Sequence, residues 1–265
     1  MGTASENGSL LPQTRRKRDA EEVSAATRKL RMLRSLQCGN KFEKLARLQG
    51  ATLIAGVDEV GRGSLFGPVV AAAVILPPDT RIRGLRDSKQ LLKEDRERLA
   101  EIVRARALAV AIEEVDAATI DRVNIYQASR MAMTAAVLRL YPEPDHLLID
   151  AMRLDLAHAQ TSIIYGDSLS ISIAAASVVA KVYRDARMRE LDVAYPGYGL
   201  ASHKGYATPE HREALRKHGP TVLHRKSFAP VGQCDLPWEE ELDDFAPEDD
   251  TSSKENLACP IDSSA

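Results

Sequence analysis

Hydrophobic positions along the chain fall into short unbroken runs and longer periodic stretches, and the two kinds alternate. Residues 52–57 (TLIAGV) and 69–76 (VVAAAVIL) are continuous apolar runs, as strands buried on both faces are. The turn between them is short and glycine-rich, which predicts antiparallel neighbours. A helix is expected from Ser88 through about residue 107, with Ser88 as its cap, and a third strand over ALAVAIEEV. Residues 116–141 read as one long helical region closed by Pro142 and Pro144. Two more strands follow, HLLIDA ending in Asp150 and TSIIYGD ending in Asp167. Strand, long helix, strand implies a parallel crossover, hence an α/β fold with a mixed sheet and helices packed on it. SISIAAASVVAKVYRDARMRELD is a helix whose small residues allow close packing on the sheet, and residues 197–231 read as loop, helix and a basic extended segment. Near the N-terminus, Phe42, Leu45 and Leu48 suit the apolar face of a further helix.

Charge is distributed unevenly. Residues 1–50 hold eleven Lys and Arg against five Asp and Glu, whereas residues 232–265 hold one against eleven. The expected organisation is a disordered arm (1–20), a basic helical extension (21–50), a folded body (51–231) and an acidic disordered tail (232–265). The basic extension is compatible with a polyanionic partner and equally with a solvated helix. Apolar stretches are too short for a membrane-spanning helix, and the first residues lack the apolar core of a secretory signal. Three scattered cysteines suit a reducing compartment, so a cytoplasmic location is expected.

Candidate chemistry lies where the apolar strands stop. Asp58 and Glu59, Asp150 and Asp167 each close one, and loops at strand ends carry chemistry because the sheet fixes their positions. Each acid alone is as readily a turn or cap residue. Together, without His or Cys, they form an oxygen-only donor set that suits Mg²⁺ or Mn²⁺ better than zinc. A cation pair held by carboxylates serves in-line phosphodiester displacement and offsets the acids' mutual repulsion. The GRGSLFG stretch is one residue too long for a dinucleotide fingerprint and leads into a strand, which removes that reading.

The stretches AGVDEVGRG, GPVVAAAVIL, LRDSKQL, LLIDA, GDSLSISIAAASVVAKVYRD, YGLASHKGYAT and HGPTVLHRKSFAPV resemble, in order, those of bacterial type 2 ribonucleases H, the ribonuclease HII family. The resemblance implies an RNase H-like fold with a five-stranded mixed sheet and a C-terminal helical segment. It implies endonucleolytic cleavage of RNA in RNA–DNA hybrids and incision 5′ of single ribonucleotides in duplex DNA, with roles in ribonucleotide and primer removal. By position, Asp58, Glu59, Asp150 and Asp167 are the metal-binding catalytic acids, expected to hold two Mg²⁺ or Mn²⁺ ions. Gly61, Arg62 and Gly63 form the turn that reads the 2′-hydroxyl, and Tyr206 stacks on the sugar of the following deoxynucleotide. Ser88 and Lys89 are phosphate contacts, as are Lys181 and Arg184 unless they are a solvated face. Tyr165 stands where the family commonly has lysine. A monomer is expected, and Gln233–Trp238 (QCDLPW) loosely resembles peptides that bind sliding clamps. A binding module without activity and an RNase H-like exonuclease are the competing readings; all four acids argue against the first, and the adjacency of Asp58 and Glu59 against the second.

Overall fold

The computed structural model describes Met32, residues 36–86 and residues 88–233. Cys234–Trp238, the acidic tail, most of the basic extension and Asp87 therefore lie outside the described residues. In chain order the elements begin with α1 (Lys41–Leu48), β1 (Ile54–Val60) and β2 (Val69–Ile75). A 3₁₀ turn (Ser88–Gln90), α2 (Lys93–Arg106), β3 (Ala109–Val115), α3 (Ala117–Val123) and α4 (Ile125–Leu138) come next. Then follow β4 (His146–Asp150), β5 (Ala159–Ile163), α5 (Gly166–Leu169), α6 (Ile171–Ala194), α7 (Leu200–His203), α8 (Pro209–His218) and α9 (Ala229–Gly232).

The strands form one five-stranded sheet in the order β3-β2-β1-β4-β5. β1 and β2 pair antiparallel, as the short turn predicts, while β4 runs parallel to both β1 and β5. Both faces of β2 are buried because helices cover both. Val70, Ala72 and Val74 face α2 and α6, whereas Ala71, Ala73 and Ile75 face α4. Alanines let the helices approach closely. At Gly56 of β1 the approach is closer still, since an added Cβ would lie 2.0 Å from the Ser172 carbonyl carbon of α6.

Several expectations shift. The long helical region breaks at Asn124, whose backbone is left-handed (φ 71°) and whose side chain accepts from the Gln127 amide to cap α4. Ser88 is not the cap of α2; that helix starts after Leu92, with no side-chain cap. In α1 the buried residues are Glu43 and Ala46 and Phe42 packs partly buried beside them, while Leu45 and Leu48 are exposed, so the apolar pattern is right at Phe42 and misassigns the other two. The basic segment before α9 is not extended but turns tightly, bridging Phe66 through His224. Among the described residues no helix is long and apolar enough to cross a membrane.

Candidate active site

Asp58 and Glu59 lie within β1, not after it; the strand runs on to Val60. Their adjacency therefore has a geometric consequence. Successive side chains leave a strand on opposite faces, so the two carboxylates straddle its end instead of meeting head-on. Val57 pairs with Ile149 across the parallel β1–β4 ladder, which brings Asp58 and Asp150 to the same end of neighbouring strands. β5 ends four residues before Asp167, contrary to expectation, because the chain turns at the exposed Ile164 and the left-handed Tyr165 (φ 60°). Asp167 instead sits on α5, and the Gly166 amide donates to Asp150 Oδ1 (2.8 Å), tying that turn to the end of β4.

The cluster is buried and electrostatically crowded. Asp58 is 4% exposed. Burial, then the nearby Glu59, Asp150 and Asp167, push its carboxyl well above the usual range. Burial also raises Glu59, opposed by Arg62 at 3.3 Å. Lys89 Nζ stands 3.0 Å from Asp167 Oδ2. Among the described residues no three Asp, Glu, His or Cys side chains close into a ready metal cage, since these carboxylates turn toward Lys89, Arg62 and the Gly166 amide. The donor set nevertheless fits a divalent cation. It is all oxygen, burial and neighbouring carboxylates press Asp58 and Glu59 toward protonation, and Glu59 Oε2 is buried without a hydrogen-bond partner.

Beside the acids lies the turn Gly61-Arg62-Gly63. Gly61 has φ 92°, and a Cβ there would meet Arg184 Nε at 2.2 Å, so only glycine fits. Arg62 and Gly63 are exposed, as is Lys89. Ser88 is buried, its hydroxyl 3.0 Å from Ser177 Oγ, so it faces inward and not toward solvent. Tyr206 is 37% exposed, and its loop pairs with the GRG turn through a Ser64–Tyr206 bridge and the Leu65 amide donating to Gly205. The structure thus brings Asp58, Glu59, Asp150, Asp167 and Lys89 together and places Gly61–Gly63 beside Tyr206.

Other residues are reassigned by their surroundings. Arg184 is not a phosphate contact on a solvated face. It is fully buried and donates to the carbonyls of Phe66, Pro68 and Lys204. Lys181 pairs with Asp185 at 2.6 Å. Arg225, also fully buried, donates to the carbonyls of Arg62 and Gly67, and burial together with Arg184 brings its guanidinium down to about 9. These two arginines, invisible to sequence periodicity, hold the GRG turn from behind. Glu43 was missed too. Its Oε1 accepts from Ser170 Oγ (2.6 Å) and the Ser172 amide (3.0 Å), anchoring α1 to the start of α6 just beyond Asp167.

Comparison with known proteins identifies a family and a fold. A family model described as ribonuclease HII matches residues 55–231. Ribonuclease HII of Koribacter versatilis (strain Ellin345) is 59% identical over 222 residues, covering 84% of this chain and 87% of that protein. Ribonuclease HII of Solibacter usitatus (strain Ellin6076) is 56% identical over 205 residues, covering 75% and 90%. Among solved structures, ribonuclease H2 of Pyrococcus horikoshii OT3 superposes with a TM-score of 0.60 at 23% identity, over 69% of this chain and 96% of that one. RNase HII in a complex with PCNA from Archaeoglobus fulgidus gives 0.59 at 24%, over 71% and 100%. Bst-RNase HIII in complex with Mn²⁺ gives 0.56 at 24%, over 72% and 71%. These structures share the RNase H-like α/β fold.

Proposed function

The chain belongs to the ribonuclease HII family, and on that premise we propose that it cleaves the RNA strand of RNA–DNA hybrids and incises 5′ of single ribonucleotides in duplex DNA. The observation that carries the proposal is the buried Asp58, crowded by Glu59, Asp150 and Asp167 at the end of neighbouring interior strands, beside a glycine turn whose Arg62 and Gly63 are exposed. Residues 51–231 form the proposed catalytic domain.

Asp58, Glu59, Asp150 and Asp167 would hold two Mg²⁺ or Mn²⁺ ions; a relative of the same fold is described with Mn²⁺. When bound, such ions supply a water of lowered pKa and charge to stabilise the leaving oxygen, which gives 3′-hydroxyl and 5′-phosphate ends. Arg62 and Lys89 lie where they neutralise acids, so in this reading they turn from Glu59 and Asp167 to substrate phosphates as cations arrive. The backbone of Gly61–Gly63 recognises the 2′-hydroxyl, the group that separates RNA from DNA. Ser88 contributes by seating Lys89 through its contact with Ser177. The Tyr206 ring stacks on the sugar of the next deoxynucleotide. A sliding-clamp contact through Gln233–Trp238 is the partner reading, and one neighbour of the same fold is described in a clamp complex.

The test is a labelled DNA duplex with one ribonucleotide, incubated with Mg²⁺, Mn²⁺ or chelator. A cut immediately 5′ of the ribonucleotide, lost with chelator, is the expected result. Binding without a cut under either metal would leave only a binding module. Tyr206→Ala is expected to lower kcat/KM on this duplex about tenfold while changing cleavage of long hybrids far less. Equal losses on both substrates would remove the junction-reading role.

A further inference from the structure

Behind the loop that carries Tyr206 lie three histidines the proposed chemistry does not use. His211 and His224 are 0% and 1% exposed, and His203 stacks on His211 at 4.5 Å between ring centroids. Their hydrogen bonds assign the protons. The Thr221 amide donates to His224 Nδ1 (2.9 Å), so that nitrogen is bare and the ring's proton is on Nε2. His224 Nε2 faces His211 Nε2 at 3.3 Å. The other nitrogen of His211, Nδ1, lies 3.0 Å from the Tyr206 carbonyl, an acceptor, so Nδ1 carries the proton of His211 and Nε2 accepts from His224. His203 follows the same logic, with Nδ1 accepting from the Gly205 amide (3.1 Å) and Nε2–H donating to the Tyr198 carbonyl (2.7 Å). The His211 and His224 rings are neutral, each with one tautomer. Burial supports this, holding His211 below its usual value and His224 down to about 3.

The line therefore runs from the Thr221 amide through two imidazoles to the backbone of Tyr206. That backbone has other ties as well, and the Arg184 guanidinium lies over the Tyr206 ring at 5.8 Å from its centroid. The backbone follows left-handed residues Lys204 and Gly205, and its remaining ties are the Tyr206 amide to the His203 carbonyl (3.0 Å), the Thr208 amide to the Tyr206 carbonyl (2.8 Å) and the bridge to Ser64. We infer that the His224–His211 pair is a positioning device for Tyr206 and, through it, a determinant of selectivity for the ribonucleotide–deoxynucleotide junction. The inference rests on the role proposed for Tyr206 and adds the residues that aim its ring. A stacking ring acts only where its plane meets the sugar, so loss of the carbonyl anchor should act on junction cleavage and spare long hybrids.

The test uses side-chain amides that imitate one ring nitrogen each. Asparagine at 211 reaches the Nδ1 position and keeps a donor for the Tyr206 carbonyl; glutamine reaches the Nε2 position and does not. In the full chain, His211→Asn is expected to stay within about threefold of wild type on the single-ribonucleotide duplex. His211→Gln and His211→Ala are expected to lose about tenfold there and less than about twofold on a long hybrid. Ring ¹⁵N spectra of the unmodified protein provide a measurement that needs no variant, with Nδ1–H at His211 and Nε2–H at His224. An Nε2–H tautomer at His211, equal losses on both substrates, or glutamine rescuing as well as asparagine would overturn the inference. If Tyr206→Ala leaves junction cleavage intact while the tautomers are as assigned, the Tyr206 reading fails and the selectivity role with it. If Tyr206→Ala is selective and His211→Gln is not, the positioning inference alone fails.

Discussion

Asp58→Asn is expected to lower turnover on the order of a thousandfold or more while making the cation-free protein more stable. Both effects come from the same placement. Asp58 is buried at the end of β1 with Glu59, Asp150 and Asp167 around it, and burial is the larger cause of its raised carboxyl. A carboxyl whose folded pKa lies above its unfolded value near 3.9 contributes stability that is complete below that unfolded value. That stability is lost as pH rises through the raised folded pKa. Glu59 is shifted in the same direction, so the two act together. In chelator, the melting temperature of the unmodified protein is therefore expected to fall as pH climbs from about 4 toward neutrality. Asp58→Asn should flatten this dependence and melt higher at neutral pH, since an amide still accepts from the Glu59 amide without adding charge. Added Mn²⁺ should stabilise the unmodified protein at neutral pH and leave the variant nearly unchanged. Thermal melts across pH, with and without Mn²⁺, measure all of this. Equal stabilisation of both proteins by Mn²⁺, or retained turnover in the variant, would remove Asp58 from the proposed cation site.

Gly56→Ala is expected to cost about 3 kcal/mol or more in urea unfolding, large for the addition of one methyl group. The atoms it would meet are all backbone, the Ser172 carbonyl carbon at 2.0 Å, its oxygen at 2.2 Å and the Ile173 amide at 2.4 Å. Side chains can rotate away from such a contact, but the first turn of α6 cannot move without carrying the preceding α5 turn, which holds Asp167. Asp58 lies two residues beyond Gly56 on the same face of β1. The substitution should therefore separate the acids as well as loosen the core, and turnover is expected to fall in the fraction that remains folded. Gly63→Ala is the control, because nothing lies within 4 Å of a Cβ there and its φ is not left-handed. If the two variants unfold at the same urea concentration, the close approach of β1 and α6 does not carry this weight.

The strands were legible because their signal is local. VVAAAVIL has no polar residue to face water, so it must be covered on both sides, and the structure covers it with α2, α6 and α4. LLIDA needed only its apolar run to become β4, and the short turn before β2 needed only its length to make the pair antiparallel. The four acids were legible for the same reason, Asp58, Asp150 and Asp167 each being the first charge after an apolar run and Glu59 following Asp58 directly. The exact residue at which a strand stops was not. Asp58 and Glu59 stay inside β1 because Ala72 and Ala71 of β2 pair with them, and Asp167 leaves β5 because the chain turns at Tyr165.

What sequence alone determined is thus the order of elements, the mixed sheet and the family to which the motifs belong. Tertiary structure alone decided which charged residues face inward. Arg184 and Arg225 read as basic surface until carbonyls 116 and 163 residues away in sequence are folded around them. Glu43 likewise reads as one acid in a charged helix until Ser170 and Ser172, more than 120 residues on, donate to its carboxylate. Apolar burial follows from a residue's own chemistry and that of its near neighbours. Burial of a charge depends on whether hydrogen-bonding partners arrive to replace water, and only the folded chain brings them.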